Sequence, residues 1–157
     1  MTETSFEKQL EETGTLCYKN AGVSMMPLIR EGKDVIVIDR RPAGRLKKYD
    51  VALYTRPGAS GGSAYVLHRV MKVNPDGTYW ILGDNCTAGE TVKEEKILGV
   101  LSRVVCNGRN RAEGFGYSVY VHTWIAAWPV RIFILRTKRI AGRTAVKILK
   151  ALHLYGQ

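Results

Sequence analysis

Residues 64–82 read AYVLHRVMKVNPDGTYWIL, and this stretch carries the clearest structural signal in the chain. Two runs rich in β-branched and aromatic residues, Ala64 to Val73 and Thr78 to Leu82, flank the sequence Asn-Pro-Asp-Gly at 74–77. Such runs are typical of β-strands. The residues between them are a strong turn signal, because proline fixes one backbone angle and glycine accepts a positive one. The stretch therefore predicts a β-hairpin.

The same pattern continues on both sides of the hairpin. Short β-branched or aromatic runs, separated by Gly, Pro, Asn and Asp, fill the chain from Thr15 to about Val105. The clearest further strands are Asp34 to Asp39, Val51 to Tyr54 and Ile97 to Val105. Several short strands between turn signals indicate a mainly β domain, which we place at residues 15–116.

Helices are predicted at both ends of this domain. Thr4 and Glu7 have the spacing of a capping box, and the apolar residues that follow predict a short helix within residues 1–14. Residues 117–157 combine aromatic and aliphatic positions at helical spacing with arginine and lysine. They predict a basic amphipathic tail of two helical pieces, bent or broken near Pro129.

The charge of the chain points to anionic partners. Twenty-four Lys and Arg residues against fourteen Asp and Glu residues give a formal charge of +10, which attracts anionic surfaces whatever the fold. Tryptophans beside basic residues make the 117–157 tail a candidate for contact with an anionic membrane, although its aromatic residues suit packing on the β domain equally well. Nucleic acid is disfavoured as a partner because no recognisable binding module accompanies the charge.

Neither export nor a bound cofactor is predicted. Residues 1–13 are polar and acidic, unlike a secretory signal. The apolar stretch Val119 to Leu135 is interrupted and shorter than the roughly 20 residues of a spanning helix. Three cysteines, Cys17, Cys86 and Cys106, lack the spacing of a zinc site or a disulfide framework. We therefore expect a cytoplasmic protein, at most peripheral on the inner face of the membrane, with no metal or cofactor.

Three residues have the chemistry of a serine protease. Ser24 stands in the turn-forming sequence GVSMMP, and a serine becomes a nucleophile when a base takes its proton and donors receive the oxyanion. His68, in the first strand of the hairpin, has a near-neutral ordinary pKa that suits a proton acceptor. Asp84 follows the second strand and could orient the imidazole. Taken singly, each also fits a structural role in a turn or in the core.

Four motifs in order resemble the signal peptidase family over about residues 22–105. They are S-M-x-P from Ser24, G-x-D-V from Gly32, H-R-V from His68 and G-D-N from Gly83. Histidine in H-R-V is similar to the archaeal and endoplasmic-reticulum type, whereas typical bacterial members use a lysine base. The resemblance implies Ser24 as nucleophile and His68 as base. It also implies the coiled, several-sheeted β fold shared with LexA-type self-cleaving repressors, here with terminal helices.

The resemblance leaves the acidic partner of His68 open between two residues. In that branch of the family the acid lies beyond the G-D-N aspartate, in a D-D pair, and counting from Asp84 places Glu90 opposite the second aspartate. Both remain candidates, with a structural role for Asp84 as the alternative. Many relatives carry an oxyanion-donating hydroxyl where this chain has Gly22, which leaves the backbone N–H of Ser24. Relatives also hold an apolar spanning helix before the serine motif, and none is predicted here.

The resemblance implies a serine endopeptidase that hydrolyses a peptide bond in a dedicated cytoplasmic or membrane-peripheral peptide or protein. Its departures motivate a second interpretation, a catalytically weak or inactive peptide- or lipid-binding module on the same fold. A LexA-like protein that cleaves its own chain is disfavoured, because such proteins pair the serine with lysine and carry a DNA-binding domain. The oligomeric state is not predicted by the sequence.

Overall fold

A computed structural model describes residues 6–41, 44–58, 61–138, 140 and 144 of the chain. Eight strands form one antiparallel sheet. They are β1 (Thr15–Lys19), β2 (Val35–Arg40), β3 (Val51–Pro57), β4 (Ser63–Val73), β5 (Thr78–Leu82), β6 (Glu90–Lys93), β7 (Ile97–Cys106) and β8 (Arg109–Asn110). The prediction of a mainly β protein is therefore confirmed, while its relation to the signal peptidase fold stays a prediction.

Helical segments flank the sheet. Helix α1 spans Phe6–Thr13, and a single 3-10 turn at Glu94–Lys96 precedes β7. Helix α2 (Gly114–Tyr120) continues as a π-helical turn at Val121–Ile125, and helix α3 spans Trp128–Lys138. The predicted N-terminal helix is confirmed over its described residues. Residues 139, 141–143 and 145–157 of the predicted tail lie outside the described residues.

The hairpin predicted from residues 64–82 is present. β4 and β5 pair antiparallel, with Val73 opposite Tyr79 and Arg69 opposite Leu82. The turn is closed by a bond of 2.9 Å from the backbone N–H of Asn74 to the carbonyl oxygen of Thr78. The other predicted strands correspond to β2, β3 and β7, whereas β1, β6 and the short β8 were not singled out from the sequence.

The strand order β1-β2-β7-β3-β4-β5-β6 places the predicted nucleophile and base far apart along the sheet. Ser24 lies in the connection between β1 and β2, at one end of this order, and His68 lies on β4. Three apolar side chains of the connection, Met25, Leu28 and Ile29, are buried in one cluster with Leu53 of β3 and Leu67 of β4. The connection therefore crosses the face of the sheet, and this crossing brings Ser24 towards β4.

Two clusters of buried side chains use alternate residues of the same strands. Leu53 packs in the cluster that includes α1 and the Ser24 connection, whereas its neighbours Ala52 and Tyr54 pack in the other, with Val70 and Ile81. This alternation follows from the two-residue period of a β-strand. It places the Tyr54 ring on the side of β3 opposite to Leu53.

The two C-terminal helices meet at a sharp bend. The segment Gly114–Ile125 and helix α3 make an angle of 73°, and the break lies just before Pro129, as predicted. Helix α2 begins at Gly114, inside the last residues of the predicted β domain. Within the described part of the chain, no single helix is long and apolar enough to cross a membrane, whereas the bent pair meets the length and composition criteria when its halves are taken together.

A third apolar cluster packs the bend on the sheet. Its buried members are Met71 of β4, Leu82 of β5 and Ile125. Trp124 and Trp128 pack against them, together with Ile132 and several neighbours. Trp124 and Trp128 of the predicted tail therefore pack on the β domain, as one of the two sequence interpretations has it, whereas Phe133 is 68% exposed.

Candidate active site

Ser24 sits on a turn that the core holds in place. The side chain of Met25, the next residue, is 1% exposed, and a backbone bond from Met26 to Val23 closes the turn. Gly22, two residues before Ser24, has a φ of +123°. Residues with side chains rarely adopt that backbone angle, so this loop conformation favours glycine at position 22. Ser24 itself is half-buried and lines an open cleft.

A buried carboxylate anchors the end of the Ser24 connection. Asp34, the aspartate of the G-x-D-V motif, accepts hydrogen bonds from the backbone and the guanidinium of Arg30 at 2.8 and 3.0 Å. Arg111 donates to the same carboxylate at 3.0 Å and to the carbonyl oxygen of Pro27 at 3.1 Å. Burial by itself raises the pKa of Asp34, but the bonds from Arg30 outweigh it and bring the pKa to about 2. Asp34 is thus ionised at neutral pH and ties the connection to the segment before α2.

His68 is buried on β4 and contacts Tyr54 on β3. Because Ala52 pairs with His68 and Tyr54 pairs with Val66, the two rings are diagonal neighbours on one face of the sheet. The Tyr54 hydroxyl oxygen lies 3.2 Å from Nδ1 of His68 and donates to Oε1 of Glu90 at 2.7 Å. Because the Tyr54 hydroxyl donates its proton to Glu90, the Tyr54 oxygen accepts a hydrogen bond from the N–H at Nδ1 of His68. The Nε2 atom of His68 therefore carries the free lone pair, as a general base requires.

Glu90 acts on His68 through this tyrosine. It is the first residue of β6, opposite Ile81, and its Oε1 atom also accepts a bond of 2.8 Å from Arg56. The direct bond between a carboxylate and the imidazole, expected for Glu90 or Asp84, is therefore replaced by the chain His68, Tyr54, Glu90. We call these three residues the His68 relay.

Asp84 has a different role from the one proposed for an orienting acid. Its two carboxylate oxygens accept bonds of 2.9 and 2.7 Å from Arg69, and both side chains are fully buried. The hydroxyl of Tyr120 donates to the same carboxylate at 2.8 Å. No hydrogen bond joins Asp84 to His68 among the described contacts. Asp84 therefore holds β4, the loop after β5 and helix α2 together, and it acts on His68 through its negative charge, which raises the pKa of the imidazole.

The other two residues of the G-D-N motif bring Ser24 and His68 together. The backbone N–H of Asn85 donates to the carbonyl oxygen of Ser24 at 2.8 Å. A Cβ atom placed on Gly83 would lie 2.9 Å from both that oxygen and Nε2 of His68. A side chain at position 83 would therefore force Ser24 or His68 to shift. Among the described residues, no hydrogen bond joins the Ser24 hydroxyl to His68.

Burial keeps His68 in its basic form. Removal from water lowers the pKa of His68 from its ordinary value; the negative charges of Glu90 and Asp84 oppose this shift, while Arg56 supports it. The imidazole is thus neutral at neutral pH and able to accept a proton. Burial and Glu90 together raise the pKa of Tyr54 above its ordinary range, so the phenol stays protonated and remains a donor.

The cleft beside Ser24 has a volume of about 470 Å³ and is open to solvent. Small residues, Ala21 and Ala88 among them, form part of its lining, together with Cys86. β4 pairs with β5 only from Arg69 onward, so Val66 and Leu67 at the cleft pair with β3 alone. The cleft thus contains an edge of the sheet as well as the Ser24 and His68 side chains.

Three residues of the site were not predicted from the sequence. Tyr54 and Arg56 belong to a strand that was recognised, but their approach to Glu90 depends on a strand register that the sequence does not fix. Cys86, which the sequence connects with no site, is half-buried and lines the cleft. Over residues 6–41, 44–58 and 61–138, no group of three His, Cys, Asp or Glu side chains is placed to hold a metal ion.

Comparisons of the chain with known protein families, with characterised proteins and with solved structures give no significant match. The function is therefore argued from the geometry of Ser24, His68 and the residues around them.

Proposed function

We propose that this protein is a serine endopeptidase that hydrolyses a peptide bond by acyl transfer, with Ser24 as nucleophile and His68 as base. The observation that carries the proposal is the His68 relay, because it assigns the ring proton to Nδ1 and leaves Nε2 free on the side where Ser24 and Gly83 lie. The resemblance of the four ordered motifs to the signal peptidase family supports the same two residues.

In the acylation step, Oγ of Ser24 bonds to the carbonyl carbon of the scissile peptide while its proton passes to Nε2 of His68. The carbonyl oxygen becomes an oxyanion, and the backbone N–H of Ser24, for which no bond to another backbone group is found among the described residues, is the donor we assign to it. Collapse of the tetrahedral intermediate breaks the C–N bond, and the leaving amine takes the proton from His68. Water, deprotonated by His68, then hydrolyses the acyl ester and restores Ser24.

The His68 relay supplies what an imidazole needs during these transfers. When Nε2 takes the Ser24 proton, the ring gains a positive charge inside a buried site. Glu90 is the negative group that balances this charge, and Tyr54 transmits it through two hydrogen bonds. Arg56 holds Glu90 at the surface of the cleft, so the carboxylate stays aligned with the phenol.

The edge of β4 supports a peptide as substrate. Val66 and Leu67 pair with β3 on one side only, and they lie in the cleft one to two residues before His68. An extended peptide adds to such an edge through main-chain hydrogen bonds. The peptide would then pass Ser24 in extended form. We place the activity on a cytoplasmic or membrane-peripheral substrate.

The test is incubation of the purified protein with a mixture of unfolded peptides, followed by mass spectrometry of the products. Wild type should release fragments, and His68→Ala should lose at least about 100-fold in rate because the general base is gone. Ser102→Ala is a matched control, since its hydroxyl bonds to the carbonyl oxygen of Val37 away from the cleft. Loss of cleavage in the control to the same extent would contradict the proposal.

A second function is favoured by one observation, the lack of a hydrogen bond between the Ser24 hydroxyl and His68 among the described residues. A peptide-binding module on the same site would use the β4 edge without hydrolysis. The two functions differ in outcome: a module binds peptides and leaves them intact, and Ser24→Ala binds them as wild type does. If wild type releases fragments and Ser24→Ala does not, the peptide-binding module is excluded.

A further inference from the structure

Helix α3 carries a buried cation without a partner. Arg131 is 1% exposed, and none of its three guanidinium nitrogens has a hydrogen-bond partner among the described residues. The indole N–H of Trp124, on the other side of the bend, is likewise buried and unused. Buried polar groups in native proteins are nearly always hydrogen-bonded, and an unpaired buried charge is the most costly exception. These donors therefore point to a ligand.

The charges around Arg131 indicate that this ligand is an anion. Asp84 is the carboxylate that acts on it most strongly, and both oxygens of Asp84 are already occupied by Arg69. Arg69 and Arg131 thus share a single negative charge in a buried region. Burial lowers the pKa of Arg131, with Asp84 opposing the shift, but a guanidinium stays protonated in proteins. No described carboxylate lies within ion-pairing distance of Arg131, so one positive charge is left unbalanced.

The exposed surface around the bend between α2 and α3 indicates that the anion belongs to a membrane lipid. Phe115 of α2 is 86% exposed, and Val130 and Phe133 of α3 are 61% and 68% exposed. The charged side chains of Arg136 and Lys138 are exposed at the end of α3. Exposed apolar side chains next to cations are typical of helices that lie in the interface of an anionic membrane. A planar guanidinium binds phosphate through paired donors, which an ammonium cannot do.

We propose that Arg131 and the indole of Trp124 form a binding site for the headgroup phosphate of an anionic lipid. The guanidinium donates two parallel hydrogen bonds to phosphate oxygens, and the indole N–H donates a third. Because Arg131 is closed off from solvent in the present arrangement, α3 turns about the break at residues 126–127 to admit the headgroup. The exposed side chains of Phe115 and Phe133 enter the interface in the same event.

The experiment measures partition of the full chain onto vesicles of phosphatidylglycerol and phosphatidylcholine, by co-sedimentation, with pure phosphatidylcholine as reference. Arg131→Met should lower the partition coefficient roughly 30-fold, because a paired charge-assisted contact is lost. Arg136→Met, the matched control on the same helix, should lower it about fivefold, as expected for one surface charge. Trp124→Phe should lie between wild type and Arg131→Met. Without lipid, Arg131→Met should melt at a higher temperature than wild type, because an unpaired buried charge is removed.

Equal losses for Arg131→Met and Arg136→Met would overturn the site, since only general surface charge would then be at work. A second arm adds inorganic phosphate against chloride at matched ionic strength. Stabilisation of wild type by phosphate, without a vesicle difference between the two variants, would also overturn the lipid assignment in favour of a free ion. If Arg131→Met does not fold, Arg131→Lys is compared with Arg136→Lys, and a loss confined to position 131 supports the site while equal partition overturns it.

Discussion

The hydroxyl oxygen of Tyr54 lies 3.2 Å from Nδ1 of His68. Two adjacent strands set this distance, because the register of β3 against β4 makes the two rings diagonal neighbours on one face of the sheet. The same hydroxyl donates to Glu90, so a carboxylate that does not contact His68 still influences its charge. The proposed base therefore depends on a tyrosine that no motif contains.

The first prediction concerns the His68 relay. Tyr54→Phe keeps the ring but removes the hydroxyl that joins His68 to Glu90. We expect kcat for peptide cleavage to fall roughly 10- to 100-fold, because the general base loses the group that orients it. Glu90→Gln should cause a similar fall. The double variant should be little worse than either single variant, because both remove the same connection. Losses that multiply in the double variant would show that Tyr54 and Glu90 act separately.

The second prediction uses the pH dependence of kcat/KM. The rate should fall as the pH drops through the pKa of His68, because only the neutral imidazole accepts a proton, and burial places this pKa below the ordinary value. Glu90 raises the pKa of His68 and Arg56 lowers it. Glu90→Gln should therefore move the acid limb to lower pH, and Arg56→Gln should move it to higher pH. Shifts in the same direction would contradict the assignment of His68 as base.

The third prediction separates the two acidic residues. Asp84→Asn leaves the buried charge of Arg69 without its ion partner, so the free energy of unfolding should fall by about 3–5 kcal/mol. Glu90→Gln removes a partly exposed charge and should cost little stability. Urea unfolding measures both, with Glu95→Gln at the exposed turn before β7 as a control. A large stability loss for Glu90→Gln together with a small one for Asp84→Asn would reverse the assigned roles.

The fourth prediction tests the close approach at Gly83. Gly83→Ala places a methyl group 2.7 Å from Sγ of Cys86 and 2.9 Å from Nε2 of His68, so the cleft residues must shift. Misplacement of that size should lower turnover on the order of 100-fold. Gly116→Ala is the matched control, because nothing lies within 4 Å of the added methyl group. If Gly83→Ala cleaves peptide as fast as Gly116→Ala, the close approach at Gly83 does not contribute to the active site.

The hairpin could be predicted because its signals are local. Asn74 to Gly77 have the residue types that the turn requires, and the flanking runs have the side chains of strands. Strand β6 was missed since its residues, Glu90 to Lys93, are mostly polar and leave only Val92 buried. Helix α2 begins at Gly114, within the residues assigned to the β domain, and its Tyr117 and Tyr120 pack against a core cluster, a tertiary contact that can outweigh local propensity.

The site could be predicted only in part, for a related reason. Ser24 and His68 stand in short motifs, and the aspartate of G-D-N was given a structural role as an alternative, which its bond to Arg69 explains. The connection between Glu90 and His68 needs the register of β3 on β4 and the position of β6. The pairing register of distant strands cannot be deduced from one segment alone, so the role of Tyr54 in the site could not be predicted from the sequence.

The most direct test of the account is the rate at which Ser24→Ala cleaves a peptide that wild type cleaves, followed by mass spectrometry of the fragments. The variant loses only the nucleophile, and its fold is checked by thermal unfolding against wild type. The account predicts that wild type releases fragments and that Ser24→Ala is slower by at least on the order of 10⁴-fold, as expected when a serine protease loses its nucleophile. Cleavage by Ser24→Ala at the rate of wild type, or intact peptide after incubation with wild type, would contradict it.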